Sequence, residues 1–540
     1  MPERSQYDVV ITGGGLAGLT LARQLRQTLP DLSLLVIEKH PFPVREAAFK
    51  VGESSVEIGA HYFGHVLGLR PYLEQAHLPK NGIRYFFTRH GNRDLGQRAE
   101  LGPRVPAEVP SWQLDRGRLE NSLAEMNRLD GIEVADASRV ISLEMNAVSG
   151  HRVTFERAGQ QSTVRGRWLV DASGRGGLLK RHLGLARAVD HNSNAAWFRV
   201  PYQIRIDDWV SGADWAAFVP SRTRWLSTNH LMGRGYWVWL IPLGSGSTSV
   251  GIVADDVLHP LATYNRYERA IDWLDRYEPQ VADVVTASNE PADDFLVLRH
   301  YAHGCQRVYS SERWCLTGEA GAFTDPLYSP GSDFIGMSND FIVDLIRREL
   351  RGERIDAVAE QYNRTYLLLF SAFLRIYSGQ YRMMGNAQVM SAKILWDNAC
   401  YWAIPALIFF RRKFTDPVFL KAIDPLMQRF FFLHHRMQTM VRKWDEAVEP
   451  PAGDARNDIL SVDLLREWHR SLPQPIPDDA ELVQRLTANL ERLEVLASAL
   501  TCLARETEPG SPVVAECLDQ LRRSILVPDS LAAVSLAGLG

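Results

Sequence analysis

The segment Gly13-Gly-Gly15-Leu-Ala-Gly18 lies between a short β-branched run, Tyr7-Asp-Val-Val-Ile11, and a stretch with helical periodicity. Glycines at this spacing suit phosphate chemistry. Gly13 permits a tight turn, Gly15 lets the backbone approach a pyrophosphate, and Gly18 allows close contact between helix and strand. The helix start, with Leu16 and Ala17, offers free N–H groups and partial positive charge to an anion. Glu38 and its neighbour Lys39 follow a second run, Leu32-Ser-Leu-Leu-Val-Ile37. A carboxylate at that strand end binds both hydroxyls of an unphosphorylated ribose. Alone, the glycines mark a turn. With the strand before and the acid after, they predict a site for FAD or NAD rather than NADP.

Two further strand ends bear on the choice. Val170-Asp171-Ala-Ser-Gly-Arg175 and Leu316-Thr-Gly-Glu319-Ala-Gly321 each close a hydrophobic run. Both resemble segments that complete the flavin site of glutathione-reductase-type FAD proteins, where the acid of a Gly-Asp pair binds the ribityl chain. Here Glu319, one methylene longer, takes that place. Three such segments in this order imply FAD.

These residues need a scaffold. The chain has 540 residues, 46% hydrophobic and 23% charged, the balance of a globular protein too long for one core. Its net charge of −4 gives no bulk positive field for nucleic acid. The cysteines, Cys305, Cys315, Cys400, Cys502 and Cys517, contain no Cys-x-x-Cys pair. Neither a disulfide framework nor a metal site is expected, and a reducing cytoplasm fits. No cleavable signal is read at the N-terminus. The apolar stretch Ala399 to Phe410, broken by Pro405, is too short to span a bilayer.

The fold expected is α/β: a glutathione-reductase-type Rossmann domain, a mixed β-sheet substrate region and a helical C-terminal region. The Rossmann part runs over 1–83 and continues over about 110–190 and 300–345. Short strands separated by Gly, Asp and Ser turns place the sheet region at 84–109 and 191–299. Residues 346–540 read as helical, with leucines at helical spacing between Ala480 and Glu506. Segments 447–456 and 472–479 read as linkers. The aromatic runs Arg429-Phe-Phe-Phe-Leu-His434 and Tyr377 to Tyr381 fit helix–helix core, and equally a tunnel lining or a carrier-docking face.

Three more segments resemble the flavin-dependent halogenases, the tryptophan-halogenase-like branch of FAD monooxygenases. Lys50-Val-Gly52-Glu53-Ser54-Ser-Val56 is similar to that family's flavin loop. Gly235-Tyr-Trp237-Val-Trp239-Leu-Ile-Pro242 matches its Trp-x-Trp-x-Ile-Pro signature. Phe323-Thr-Asp-Pro326-Leu-Tyr328-Ser329-Pro330-Gly331 matches its Phe-x-x-Pro-x-x-Ser-x-Gly pattern. With the dinucleotide turn, the resemblance covers about residues 6 to 345. It implies that FAD arrives as FADH2, with Gly52, Glu53, Ser54, Pro326 and Gly331 beside it, and that chloride or bromide is oxidised.

In a strand, Trp237, Trp239 and Ile241 share one face. Periodicity alone reads them as core; the resemblance implies a tunnel wall that keeps organic substrate from the oxidising flavin. Lys80 lies in His77-Leu-Pro-Lys-Asn-Gly-Ile-Arg-Tyr-Phe-Phe87, similar to the segment with the family's active-site lysine. Its ammonium would hold hypohalous acid by hydrogen bond, or its neutral amine would form a haloamine. The sequence departs from the family at the halide loop. Two backbone N–H groups cradle the anion there, and by alignment they belong to Pro330 and Gly331. Proline has none, which weakens halide binding by about 1–3 kcal/mol unless Ser329, Ser332 or a shifted amide substitutes. Tyr328 replaces the Glu of tryptophan-specific members, which favours phenol or pyrrole over free tryptophan. His77, His303 and Asp333 are unranked candidates for a phenol-assisting base.

No second nucleotide fingerprint is present, so the resemblance implies a separate NAD(P)H-dependent flavin reductase. The small aromatic substrate is free or bound to a carrier protein, and the setting is cytoplasmic secondary metabolism, such as antibiotic biosynthesis. Two alternatives stand: a halide-independent monooxygenase or oxidase, and a non-catalytic flavin-binding protein.

Overall fold

The computed structural model describes residues 2–47, 50–288, 290–448 and 455–506. The glycine turn joins the strand Gln6–Thr12 to the helix Leu16–Thr28. That strand sits between Leu34–Ile37 and Gln160–Asp171, all parallel, with Thr12 opposite both Ile37 and Asp171. Trp314–Leu316 extends the sheet in parallel on one side, and Glu133–Ala135 on the other. Every residue of Leu34–Ile37 is buried, as a strand covered on both faces requires. The aligned carboxyl ends of these strands create the crevice in which open α/β sheets bind ligands.

A second sheet of eight strands lies beside the first. Its centre runs from Ser193–Val200 through Thr248–Asp255 and Tyr236–Pro242 to Thr228–Gly233, all antiparallel. Ile83–Phe87 then joins in parallel, so the sheet is mixed, as expected. The residues after Pro242 form the turn of a hairpin, with Leu243 N–H donating to Ser247 O. Period-two alternation divides the Tyr236–Pro242 strand between two cores. Val238 and Leu240 pack with Trp273 and Leu274, while Trp237, Trp239 and Ile241 face the main core.

Beyond the helix Gly331–Leu350, the chain is largely helical. Three helices matter for function: Asp356–Tyr377, Ala387–Tyr401 and Asp424–Ala447. Pro405 does not end the run after Ala399. The chain stays helical through Trp402–Ala406 in a wider π turn, a geometry that tolerates a missing N–H. Helix Asp479–Glu506 buries Leu482, Leu486, Leu490, Leu493 and Leu496 against this block. Residues 449–454, within one expected linker, and Cys517 lie outside the described residues. Among the described residues Cys305, Cys315 and Cys400 form no disulfide, no group of acidic, His and Cys side chains could hold a metal, and no helix is long and apolar enough to cross a membrane.

Candidate active site

A cavity of about 640 Å³ opens at the carboxyl ends of the first sheet. At one end it is lined by Gly13, Gly15, Leu16, Ala17, Glu38 and Lys39. Gly13 has φ of +113°, and a Cβ there would lie 2.3 Å from Ala172 O, so only glycine fits. A Cβ on Gly15 would meet nothing within 4 Å, because that side faces the cavity. The helix behind it has no side-chain cap and no acidic residue in its first turn, leaving its N–H groups to an anion. Glu38 accepts from Gly14 N–H at 2.6 Å and His40 N–H at 2.9 Å, which leaves each oxygen a further lone pair for a ribose hydroxyl. An uncapped helix, an open glycine and a poised carboxylate fit the adenosine diphosphate half of FAD.

Two of the cofactor residues expected from sequence do not line this cavity. Gly18 packs instead, its Cβ position 2.0 Å from Gly13 O. Asp171 is fully buried and its carboxylate is spent on the chain, accepting from Ser173 N–H at 2.9 Å and Leu179 N–H at 2.7 Å. It shapes the turn rather than reaching a ligand.

The cavity continues past Gly52, Glu53, Ser54 and Glu319 to Pro326, Ser329 and Gly331. Glu53 is anchored by Arg199 at 2.8 Å, and Ser54 Oγ meets Thr228 Oγ1 at 2.9 Å. Trp237, Trp239 and Ile241 form one wall at this end. Trp237 Nε1–H donates to Tyr381 Oη at 3.1 Å, and Trp239 Nε1–H to Ser249 Oγ at 3.0 Å, so both rings are fixed. Tyr381 in turn donates to Asp325 at 2.6 Å, which also holds Tyr301 and His191. This buried network links the Trp wall to the loop that precedes Pro326. Of Tyr381, Tyr301, His191 and Asp325, only Asp325 lies within a sequence motif.

A second, smaller cavity of about 70 Å³ lies across the 326–333 loop. The loop residues divide between the two spaces. Ser329, Gly331 and Ser332 face the first, whereas Tyr328, Pro330 and Asp333 face the second. The Pro330 ring therefore lines the small cavity. Pro330 is the N-cap of the Gly331–Leu350 helix, so the next N–H groups, of Gly331 and Ser332, belong to its first turn. Ser332 Oγ, on a side chain 8% exposed, has no partner among the described residues.

Val56, Glu57 and Ile83 line one side of the small cavity, and the helical block supplies Phe373 and Ile376, then Asp397, Tyr401 and Pro405, then Phe430, Phe431 and His434. The aromatic run at 429–434 is thus divided, Phe430 and Phe431 lining the cavity and Phe432 exposed. Asp333 Oδ1 accepts from Gly59 N–H at 2.8 Å and Oδ2 from Tyr401 Oη–H at 2.8 Å. Burial in this apolar setting pushes its pKa up to about 8. Tyr328 Oη–H donates to Asp397 at 3.0 Å, beside Lys393 at 2.5 Å.

Lys80 is 4% exposed and lines neither cavity. Its Nζ donates to Ser55 O at 2.8 Å. Ser54 faces the large cavity and Val56 the small one, so the ammonium sits at the partition. Burial lowers its pKa to about 8, against the pull of Glu57 and Asp333. Burial also penalises the Glu57 carboxylate, but His469, whose Nε2 is 3.3 Å away, holds it below the usual range, and Lys80 adds to this. Of the three base candidates only Asp333 reaches this site. His77 Nδ1 accepts from Asp115 N–H, and His303 lies against the carbonyls of Tyr301 and Glu319.

The fold and the cofactor cavity define an FAD-dependent oxidoreductase, and residues 6–245 match the FAD binding domain family. The chain is similar to flavin-dependent halogenases. It is 25% identical to the flavin-dependent halogenase chlA of Dictyostelium discoideum, across 77% of this chain and 72% of that one. It is 28% identical to the 1H-pyrrole-2-carbonyl-[peptidyl-carrier protein] chlorinase of Pseudomonas fluorescens, across 60% and 72%. The structure of halogenase PltM with phloroglucinol and FAD shares the fold, with a TM-score of 0.59 at 18% identity over 91% of this chain and 96% of that one.

Proposed function

We propose that the protein halogenates a small electron-rich arene, a phenol or pyrrole rather than free tryptophan, in two chambers joined at Lys80. The observation that carries this is the partition: one loop faces both chambers, and the buried ammonium of Lys80 rests on the backbone between them. Bound as FADH2 in the large chamber, the cofactor would supply the electrons with which oxygen converts halide to hypohalous acid. Trp237 and Trp239 would exclude the arene from that end. Gly331 N–H, Ser332 N–H and Ser332 Oγ–H would hold the halide, replacing the donor that Pro330 lacks. Lys80 would pass the electrophile across the wall as a hydrogen-bonded acid or a haloamine. Asp333, with a pKa close to working pH, would take the proton that the arene releases. Tyr328 leaves no carboxylate at the position that orients indole.

With no nicotinamide site read in the sequence, FADH2 would come from a separate NAD(P)H-dependent reductase, in the cytoplasm. The pyrrole chlorinase relative acts on a carrier-bound substrate by its name; the arene here would be either free or presented on such an arm. The test is product mass after supplying FAD, a reductase, NADH and oxygen with a panel of phenols and pyrroles. Bromide-dependent brominated product supports halogenation; hydroxylated product with or without bromide would favour a halide-independent monooxygenase.

A further inference from the structure

His434 stands on the wall of the small chamber and has no role in the chemistry above. It is 3% exposed, on the helix Asp424–Ala447. Its Nε2 lies 3.3 Å from Ala372 O, and a carbonyl only accepts, so Nε2 carries the hydrogen. Nδ1 is then a bare lone pair, and it has no partner among the described residues. Buried acceptors in folded proteins are nearly always met by a donor, and where the chain supplies none, a water, an ion or a ligand takes its place. A cation is a poor fit, because Lys393 and Arg375 are already near the ring. Burial keeps the imidazole neutral at physiological pH, with its pKa lowered to about 4, so the lone pair persists.

The chamber has a second acceptor at another point on its wall. Asp333 is held by Tyr401, whereas Asp397, one helical turn before Tyr401, is held by Gln438, one turn after His434. Phe373, Ile376 and Phe430 supply apolar wall, Asp397 is already bonded to Lys393, Tyr328 and Gln438, and of the lining side chains only His434 has a buried polar atom without a partner among the described residues. The volume of about 70 Å³ is roughly half that of an apolar cavity that takes benzene, so a ring enters only as side chains of the wall give way.

We propose that His434 reads a second hydrogen-bond donor on the substrate, so that the preferred arene carries two hydroxyl or N–H groups at non-adjacent ring positions, one against Asp333 and one against His434 Nδ1. This rests on the small chamber being the arene site. A polar site of this kind discriminates by leaving its buried acceptor unpaired when the matching donor is missing.

The matched probes are resorcinol and 3-fluorophenol, in which a fluorine smaller than the hydroxyl replaces the second donor. Equilibrium binding to the full-length FAD-loaded protein is measured by calorimetry, with the His434 Nδ1 resonance followed by nitrogen-15 NMR. Resorcinol is expected to bind roughly tenfold or more tightly and to shift that resonance towards a hydrogen-bonded acceptor. The ratio should fall to about one in His434→Phe and recover in part in His434→Gln, which restores an acceptor. Equal binding of the two probes by the wild type, or an unchanged ratio in His434→Phe, would overturn the proposal. The wild-type comparison stands even if neither variant folds. Because binding needs no turnover, a selective protein that makes no halogenated product would remove the halogenase reading and leave this one intact.

Discussion

The two chambers are built by different means. The large one is made mainly by backbone: a glycine turn, an uncapped helix start and the ends of parallel strands present N–H groups to a ligand whose phosphates vary little. The small one is made by side chains from separate helices and a loop, Asp333, Phe373, Tyr401 and His434 among them. Cofactor recognition can be local in sequence because a turn is local. Recognition in the small chamber would depend on helix packing, which brings together residues dozens to hundreds of positions apart.

The largest effect should separate the chambers by their glycine geometry. Gly13→Val places a branched side chain at positive φ and against Ala172 O, and FAD binding should be lost, read as absent flavin absorbance after gel filtration. The same replacement at Gly15, where space is open, should leave the unfolding midpoint nearly unchanged while still weakening FAD, because the side chain would stand where the phosphates bind. Next, Ser332→Ala removes one of the donors proposed for halide and should raise the KM for bromide about tenfold, with arene KM little changed. An arene KM that rises instead would put Ser332 in the other chamber.

A smaller effect should appear in pH profiles. Asp333 takes a proton only when ionised, so the arene halogenation rate should climb as pH rises through about 8, and Asp333→Asn should flatten that limb. Lys80 loses its proton in the same range. A rate that falls again above pH 8 would mean that the ammonium holds hypohalous acid, and a plateau would mean that the neutral amine carries the halogen. Smallest of all, Tyr381→Phe removes the hydrogen bond that fixes Trp237 and one link to Asp325. It should cost about 1 kcal/mol of stability, seen as a lowered unfolding midpoint, with a few-fold loss in rate.

The glycine turn, Glu38 and the Trp-x-Trp strand were legible because each is a local pattern with one geometric meaning. The mixed sheet followed from short strands between turn residues, and the helical third from leucine spacing. Asp171 misled because its position at a strand end resembles a ligand's, while its carboxylate closes the following turn. Pro330 was legible as a missing donor but not as a residue turned to the other chamber, since the facing of a loop depends on the helix it caps. His434 was indistinguishable from core in an aromatic run. Only packing shows that the residue lines a cavity and that its Nδ1 is unpaired among the described residues, and no spacing rule would have found it.

The two-chamber account is tested most directly by giving Lys80→Ala a small diffusible halogen trap and an arene together, with bromide, FAD, a reductase and oxygen. The account predicts that the trap is still brominated while arene product disappears, because halide oxidation and delivery are separated by the wall at Lys80. Loss of both products together, or survival of both, would contradict it.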